Sequence, residues 1–305
     1  MDIFNKLTIG MMPIVPKPIV GRIASKYIAG AKLSDAVRAV KSLQSQGTVA
    51  TLDLLGELCD DPDRVREATQ TYLKMLDVIE VEKLDSNVSV KPTQLGLKIG
   101  YDFCKEHVIA IVKYAAEKNN FVRIDMEDHT CTDDTIRLYR EIHDQYENVG
   151  IVLQAYLHRT INDIQPLMEM KANIRICKGI YVEPRRICYK NRTIIINNFA
   201  LLVEELLKAG CYVGIATHCD EVIWHAKRII YQLGLKRDQY EFQMLLGVQE
   251  ELRQILIDEE HKLRVYVPFG EEWYPYSTRR LKENPSIAGY VMKDFLKINR
   301  QDGKR

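Results

Sequence analysis

Short apolar segments rich in β-branched residues alternate with amphipathic segments along most of this chain. Eight segments have the composition of strands, at residues 48–55, 88–90, 121–126, 150–156, 173–180, 212–217, 241–246 and 263–269. Apolar residues recur three and four positions apart, as in an amphipathic helix, at residues 132–145, 198–209, 221–233 and 249–258. Eight strands that alternate with helices predict a parallel sheet closed into a (βα)8 barrel.

The sequence before and after the first predicted strand departs from the simple alternation of strands and helices. Residues 1–47 predict a helical arm, and residues 48–305 predict a single barrel domain. The segment 57–87 is longer than one crossover between strands needs, so we expect inserted helices around 63–79 and a polar loop at 82–87. The predicted fold class is therefore α/β, a distorted TIM-type (βα)8 barrel with an N-terminal helical arm and helices inserted after the first strand.

Composition excludes several classes of protein. The chain has 305 residues, of which 46% are hydrophobic and 28% charged, as in an ordinary globular protein. A net charge of +1 gives no reason to expect a nucleic-acid partner. The seven cysteines are an odd number without a CxxC pair, which favours reduced thiols and a cytoplasmic location. No G-x-G-x-x-G sequence joins a strand to a helix, so a Rossmann dinucleotide site is disfavoured.

The N-terminal segment allows two interpretations. It is interrupted by Pro13, Pro16 and Pro18 and lacks the basic start and the cleavage site of a signal peptide. No apolar run reaches transmembrane length. Residues 3–20 predict either an amphipathic anchor, peripheral at the inner face of the cell membrane, or a segment that packs beneath the barrel.

Polar residues stand at the predicted carboxyl ends of six strands, where barrel enzymes carry their chemistry. They are Lys91, Asp125 with Glu127, Gln154 with Tyr156, Arg175 with Lys178, Thr217 with His218, and Tyr266. One such residue is usually only part of the wet rim, but six together indicate a shared ligand. Basic residues outnumber acidic ones, so we expect an anionic ligand, either a carboxylate or a phosphate. The other histidines lack the spacing of metal ligands, and no metal site is predicted.

The segment 273–284 predicts a C-terminal substrate-binding helix. On a helix, Tyr276, Arg279, Arg280 and Glu283 occupy neighbouring positions. Two arginines can bind a carboxylate bidentately, and the tyrosine supplies an apolar wall. Taken alone, such an arginine pair is more often only a solvated helix face.

Several of these segments together resemble proline dehydrogenase, most closely its short monofunctional bacterial type. They are ATLDLLGE at 50–57, SVKP at 89–92, IDME at 124–127, LQAY at 153–156, RICKGIY at 175–181, ATH at 216–218, FQMLLG at 242–247 and YPYSTRRLKEN at 274–284. The resemblance covers roughly residues 48–290 in the right order. It implies a distorted (βα)8 barrel that binds FAD at the strand ends and oxidises L-proline to Δ1-pyrroline-5-carboxylate. It also implies a membrane quinone as electron acceptor and a separate pyrroline-5-carboxylate dehydrogenase for the next step.

Carried over residue by residue, the resemblance implies a substrate site. Arg279, Arg280 and Lys91 would pair with the proline carboxylate, and Asp125 would lie beside the substrate. The walls of the pocket around the ring would be Tyr266, Tyr276 and Leu245. Glu283, one turn after the arginines, would orient them.

The resemblance also implies a cofactor site. Met126 and Gln154 would contact the flavin ring, and Arg175 would lie near its reactive N5 atom. The residues assigned to the ribityl and pyrophosphate groups are Lys178, Gly179, Ile180, Thr217 and His218. Two positions depart from the family pattern, since Ile180 replaces a usual alanine and Cys219 a usual asparagine. Arg185 and Arg186 either contact flavin phosphates or lie in a solvated loop.

Two other classes of function stay open at this point. One is a barrel enzyme that acts on a small anionic substrate without flavin, and the other is a non-catalytic barrel that serves as a scaffold. A phosphate-binding barrel enzyme should have a glycine-rich loop after the seventh strand, but residues 245–249 contain a single glycine. A scaffold has no need for a full set of polar groups at its strand ends.

The predicted carboxylate site can be tested by removing either arginine. Replacing Arg279→Met or Arg280→Met should raise KM for proline strongly while FAD stays bound, because a buried charge that loses its partner costs several kcal/mol. Steady-state kinetics and the flavin content of the purified variants measure both effects. An unchanged KM in both variants would reject the assigned carboxylate site.

Overall fold

A computed structural model describes residues 21, 24–56, 58–274 and 277 of this chain. Eight parallel strands form a closed barrel in which each strand pairs with its neighbours in sequence and β1 pairs with β8. The strands are β1 (Val49–Leu54), β2 (Ser86–Val90), β3 (Val122–Ile124), β4 (Val149–Gln154), β5 (Asn173–Cys177), β6 (Tyr212–Ala216), β7 (Tyr240–Leu245) and β8 (Leu263–Phe269). The predicted TIM-type barrel is confirmed.

The helices form the outer layer, with one helix in each crossover and one before β1. They are α1 (Leu33–Gln44), α2 (Pro62–Val81), α3 (Tyr101–Glu117), α4 (Thr132–His143), α5 (Thr160–Glu169), α6 (Arg192–Lys208), α7 (Asp220–Leu233) and α8 (Glu250–Asp258). Helix α6 begins six residues before the predicted start. The side chain of Asn191 caps it by accepting a hydrogen bond from the backbone N of Ile194.

The segment after β1 differs from its prediction. It forms one long helix, α2, which is itself the crossover to β2, and the described residues of this segment contain no additional helix. Asp61 caps α2 and Pro62 occupies its first turn, so the helix starts as the sequence rules require. Asn87, predicted to lie in a polar loop, is buried in β2, where it accepts a hydrogen bond from Thr51 of β1.

The described part of the predicted arm packs against the barrel. Helix α1 lies against β1 and β8 and buries Ala36, Val40 and Leu43 in the main core. After β8, Trp273, Tyr274 and Ser277 are helical, and the rest of segment 273–284 lies outside the described residues. Within the described part of the chain, no helix is long and apolar enough to cross a membrane.

The inside of the barrel holds a buried carboxylate, Glu241 of β7. Its oxygens accept hydrogen bonds from Arg264 Nε at 2.6 Å, Gln243 Nε2 at 2.6 Å and the Tyr212 hydroxyl at 3.0 Å. Burial opposes ionisation, but the charge and hydrogen bond of Arg264 outweigh it and lower the pKa of Glu241 to about 2. Glu241 is therefore ionised at every pH at which the protein is expected to fold.

Replacing Glu241→Gln should destabilise the fold by about 3 kcal/mol at neutral pH, because Arg264 loses its buried partner. The pKa of Glu241 in the folded protein lies below its ordinary value. Ionised Glu241 therefore stabilises the fold at neutral pH, and this stabilisation is lost as the pH falls and the carboxylate is protonated. The stability of the variant should therefore fall less steeply than that of the unchanged protein from about pH 5 to about pH 3. Urea unfolding across this range measures the difference. Exposed Glu67, changed to Gln, is the control, and an equal slope in all three proteins would contradict the assignment.

Candidate active site

Side chains from five strands, four of them charged, meet at or just below the carboxyl ends of the strands. Asp53 comes from β1, Lys91 directly follows β2, Asp125 directly follows β3, Arg175 comes from β5 and Tyr266 from β8. Tyr266, predicted to end its strand, is the fourth of the seven residues of β8. In a closed parallel barrel these ends share one rim, so residues distant in sequence become neighbours. Four of these five residues are among those predicted for the site, and the structure brings them together.

Asp125 lies at the centre of this cluster. Its Oδ1 accepts hydrogen bonds from Ser89 Oγ at 2.6 Å and Arg175 Nη1 at 2.9 Å. Its Oδ2 accepts one from the Tyr266 hydroxyl at 2.7 Å and lies 3.6 Å from Lys91 Nζ. Burial opposes ionisation of Asp125, but the charges of Lys91 and Arg175 outweigh it and hold its pKa below the usual value. The site therefore contains a fixed carboxylate with both oxygens occupied.

Asp53 is a second carboxyl group, on the far side of Lys91. It is fully buried, and its Oδ1 accepts a hydrogen bond from Lys91 Nζ. Its Oδ2 is buried and accepts no hydrogen bond from any residue that the structure describes. Burial raises the pKa of Asp53; the charge of Lys91 opposes this rise and that of Asp125 adds to it. The pKa of Asp53 is thus raised and that of Asp125 lowered, although Lys91 lies close to both carboxyl groups.

Arg175 lies inside the barrel instead of at a strand end. It is the third residue of β5, which ends at Cys177, whereas the sequence predicted a strand over 173–180 with Arg175 at its functional end. The strand ends early because Gly179 adopts φ of +98° and turns the chain away from the sheet. The Arg175 Nε donates to Gln243 Oε1, and the guanidinium lies 5.2 Å from the centre of the Tyr266 ring.

Besides Asp53 Oδ2, two other buried polar atoms near the cluster lack partners among the described residues. They are Nη2 of Arg175 and Oε1 of Gln154. The amide nitrogen of Gln154, the last residue of β4, donates to the backbone oxygens of Met126 and Glu127 at 3.3 and 3.2 Å. Because buried polar atoms are normally satisfied, these two indicate a polar ligand at this side of the rim.

Glu127 was predicted as one of the polar residues at the strand ends, but its side chain has a structural role. Its side chain accepts hydrogen bonds from the backbone N and hydroxyl of Thr93. This contact joins the turn after β2 to the turn after β3. Glu127 therefore supports the loop that carries Asp125 and Met126.

A cavity of roughly 410 Å³ opens beyond the ends of β5 and β6. Lys178, Thr217, His218 and Cys219 line it together with the first turns of α6 and α7, including Arg192, Ile195, Ile196, Phe199, Asp220, Glu221 and Val222. Backbone N–H groups at the start of a helix favour anions. Lys178 adds positive charge, whereas Arg192 pairs with Glu221 at 3.1 Å, and Asp220 also lines the cavity. The cavity therefore combines apolar side chains with helix N-termini and Lys178, which suit phosphate.

Two contacts fix the β6 side of this cavity. The Nε2 atom of His218 accepts a hydrogen bond from the backbone N of Leu245 at 2.9 Å, so its ring proton lies on Nδ1. Arg192 Nη2 lies 3.1 Å from the sulfur of Cys219. The cysteine that replaces the family's asparagine is thus held by an arginine of α6.

The backbone of Gly179 packs closely against the ring of Tyr156. A Cβ atom there would lie 2.2 Å from the ring of Tyr156, so no side chain fits. The next residue, Ile180, is 43% exposed beside it. Lys178, the residue before Gly179, lines the cavity, so this closely packed loop borders it.

The remaining predicted substrate residues fall into two groups. Leu245 ends β7 and is half-buried at the rim, as its predicted place in the pocket wall requires. Tyr276, Arg279, Arg280 and Glu283 lie outside the described residues.

Asp53, Ser89 and Gln243 were not predicted from the sequence, although all three contact predicted site residues. Asp53 had a usable signal, because it is the one charged residue in the otherwise apolar and hydroxyl-bearing strand β1. Ser89 and Gln243 had none, since their contacts with Asp125 and Arg175 join strands that are far apart in sequence.

A closed parallel barrel with a buried acid–base cluster at its carboxyl rim defines a TIM-barrel enzyme. The family model described as proline dehydrogenase matches residues 36–293. Proline dehydrogenase of Deinococcus radiodurans is 35% identical over 280 residues, which cover 90% of each chain. Proline dehydrogenase 2 of Bacillus subtilis is 35% identical over 274 residues, again 90% of each chain. The chain therefore belongs to the proline dehydrogenase family.

Solved structures show the same fold. The chain of proline utilization A from Bdellovibrio bacteriovorus, inactivated by N-propargylglycine, superposes with a TM-score of 0.79 at 23% identity over 85% of the present chain. The present chain spans about a third of that longer protein, with a coverage of 32%. The comparison supports the barrel architecture.

The close approach at Gly179 gives a testable difference between two glycines. Gly179→Ala should destabilise the protein about 2 kcal/mol more than Gly210→Ala, because both residues have positive φ but only Gly179 faces a ring. The space around Gly210 is open, so that variant measures the cost of backbone conformation alone. Urea unfolding of the two variants provides the comparison. Equal losses of stability would show that the Tyr156 ring moves freely and that the loop is not held closely.

Proposed function

We propose that this protein is an FAD-dependent proline dehydrogenase that oxidises L-proline to Δ1-pyrroline-5-carboxylate. The observation that carries the proposal is the cluster of Lys91, Asp125, Arg175 and Tyr266 at the barrel rim, beside the cavity that suits phosphate. Membership of the family supports the substrate and the reaction.

The substrate carboxylate would bind the cations of the site. Lys91 reaches the rim from the end of β2, and Arg279 and Arg280 are assigned to join it, with Glu283 orienting them. Because Lys91 is 12% exposed, it can contact solvent and ligand while its Nζ pairs with Asp53. Electrostatic attraction in this poorly solvated place would hold the carboxylate end of proline firmly.

The ring of proline would lie against apolar and aromatic side chains. Tyr266 is held between Asp125 and Lys91 by its hydroxyl, so its ring has a fixed orientation. Leu245 and Tyr276 are assigned to the other walls. Fixing both the carboxylate and the ring leaves C5 in one place, which is the main contribution that positioning makes to the rate.

The residues present fit a flavin cofactor. The unpaired Nη2 of Arg175 and Oε1 of Gln154 offer one donor and one acceptor to the polar edge of the ring system, and Met126 provides an apolar contact. Lys178, Thr217, His218 and the backbone of Gly179 and Ile180 would hold the ribityl and pyrophosphate groups. When bound, FAD accepts the hydride that leaves C5 of proline.

The charges of the cluster suit this oxidation. Loss of hydride from C5 builds positive charge on the ring nitrogen, and the ionised carboxylate of Asp125 would stabilise it. Arg175, which Gln243 and Asp125 hold in place, would stabilise negative charge on the cofactor. The buried surroundings strengthen both effects because little water screens them.

We extend the proposal to the partners of the reaction. A quinone is proposed as the electron acceptor and a separate pyrroline-5-carboxylate dehydrogenase as the consumer of the product. The proposed location is the cytoplasm, with peripheral contact at the inner face of the membrane where a quinone is available. These statements rest on the resemblance to the family and on the absence of transmembrane-length runs in the sequence.

The visible spectrum of the purified protein tests the proposed function directly. We expect the bands of oxidised flavin, and their anaerobic bleaching by L-proline but not by D-proline. A colourless protein that takes up no added FAD would overturn the proposal and favour the alternative, a barrel enzyme that acts on another small anion without flavin.

Two variants extend the same measurement to the assigned residues. Arg175→Ala should keep its FAD but have a lower midpoint potential and a lower kcat, because a positive charge that favours the reduced form is lost. Lys178→Ala should instead lose FAD on dilution and recover activity when FAD is added. Wild-type potential and turnover in Arg175→Ala would place this arginine outside the reaction.

A further inference from the structure

Hydride can leave C5 of proline only when the ring nitrogen can share its lone pair, and the protonated amine of a free amino acid lacks that pair. The site must therefore remove one proton from the substrate before or during the oxidation. None of the roles assigned above provides a place for this proton.

Most candidate groups in the described cluster are already committed. Asp125 is a poor proton acceptor because, against the effect of burial, the charges of Lys91 and Arg175 hold its pKa below the usual value. Ser89, Arg175 and Tyr266 also donate hydrogen bonds to its oxygens. The Tyr266 hydroxyl donates its only proton to Asp125 and faces Lys91 at 3.4 Å. Arginine does not act as a base near neutral pH. Among the described side chains of the cluster, Asp53 is the carboxyl group with a buried oxygen that accepts no hydrogen bond.

We infer that Asp53 accepts the ammonium proton of the substrate through Lys91. The inference rests on the proposed function, because it concerns the amine of proline in that same site. Asp53 contacts Lys91 and is fully buried, so it does not touch the substrate and acts only through the lysine.

The proton transfer balances without any other reactant. Lys91 first gives a proton to Asp53 and becomes a neutral amine with a free lone pair. One N–H bond of the substrate then breaks, and its proton passes to that lone pair. Lys91 ends with the charge it had, Asp53 becomes a neutral acid with a new O–H bond, and the substrate becomes a neutral amine. Nothing is oxidised in this step, and the proton returns to solvent through Lys91 when the product leaves.

The groups that face Asp53 have opposed effects on its pKa. They are Lys91 from the end of β2, Asp125 from the end of β3, Tyr266 from β8 and Tyr72 from α2. Burial and the charge of Asp125 raise the pKa, Lys91 and the hydroxyl of Tyr266 lower it, and the net effect is a rise. A raised pKa brings the acceptor nearer to the pH at which the enzyme works, which favours general-base catalysis.

The pH dependence of the Asp53→Asn variant tests the inference. The asparagine can still accept the hydrogen bond of Lys91 but cannot take up a proton. We expect kcat/KM to fall by about 100-fold near neutral pH and to recover toward the wild-type value at about pH 10, where more substrate arrives unprotonated. A decrease of kcat/KM by the same factor at every pH would show that Asp53 has only a structural role. A wild-type pH profile would show that Asp53 has no role in the reaction.

Binding of tetrahydro-2-furoate separates proton transfer from the positioning of Lys91. This compound has the ring and carboxylate of proline but carries oxygen where proline carries its protonated nitrogen. Asp53→Asn should bind it at least as tightly as the wild-type protein does. Weakened binding in step with the loss of activity would mean that Asp53 merely positions Lys91 and would overturn the inference.

Two further variants complete the design. Ser89→Ala removes one hydrogen bond from Asp125 and serves as the matched control, with a slower reaction but a wild-type pH profile expected. Lys91→Met interrupts the path instead of the acceptor, so its kcat should also recover at high pH although its KM rises. If Asp53→Asn does not fold, Lys91→Met tests the inference instead. A wild-type decrease of its kcat toward low pH would show that the proton does not pass through Lys91. Wild-type protein that fails to oxidise proline would instead reject the proposed function.

Discussion

The Asp125 carboxylate organises the candidate active site, because it makes polar contacts with side chains from three other strands at once. It receives a hydroxyl from β2, a guanidinium from β5 and a phenol from β8. Burying a charge in this way is unfavourable unless partners compensate it, and here two cations and three hydrogen bonds do so. Arg175 and Tyr266 in turn have their orientations fixed by the same carboxylate. The geometry of the site is thus determined by satisfying one buried charge.

The same principle extends downward through the barrel. Gln243 links Arg175 at the rim to Glu241 deeper inside, and Glu241 pairs with Arg264. Acidic and basic groups alternate along this path. Each charged group contacts a group of opposite charge or is linked to one through the amide of Gln243. A barrel interior is usually filled by branched apolar side chains. Here part of it is a polar network, which makes the position of Arg175 depend on residues far from the substrate.

The sequence predicted the barrel well because its signals are local. Each strand is a short apolar run, and α4, α6, α7 and α8 carry clear helical periodicity. The early end of β5 was missed because the turn at Gly179 follows from its backbone conformation and its contact with Tyr156, which composition does not reveal. Asp125, Arg175, Lys91 and Tyr266 were predicted from the polar residues at the strand ends, and the family resemblance then assigned their roles. Gln243 and Ser89 were not, since their roles depend on contacts across the barrel that no spacing in the chain encodes.

Closure of the barrel has a consequence for how the chain reaches its folded state. Strands β1 and β8 pair along six residues, and Arg264 donates to the backbone oxygen of Ala50, 214 residues earlier in sequence. Contacts of such long range form late, because the intervening chain must be ordered first. Until β8 arrives, β1 and β7 are open sheet edges that can pair with other chains. During synthesis Asp53 is therefore in place before Tyr266 has been made. A ribosome that stalls before β8 leaves an aggregation-prone open sheet in which the candidate active site is not assembled.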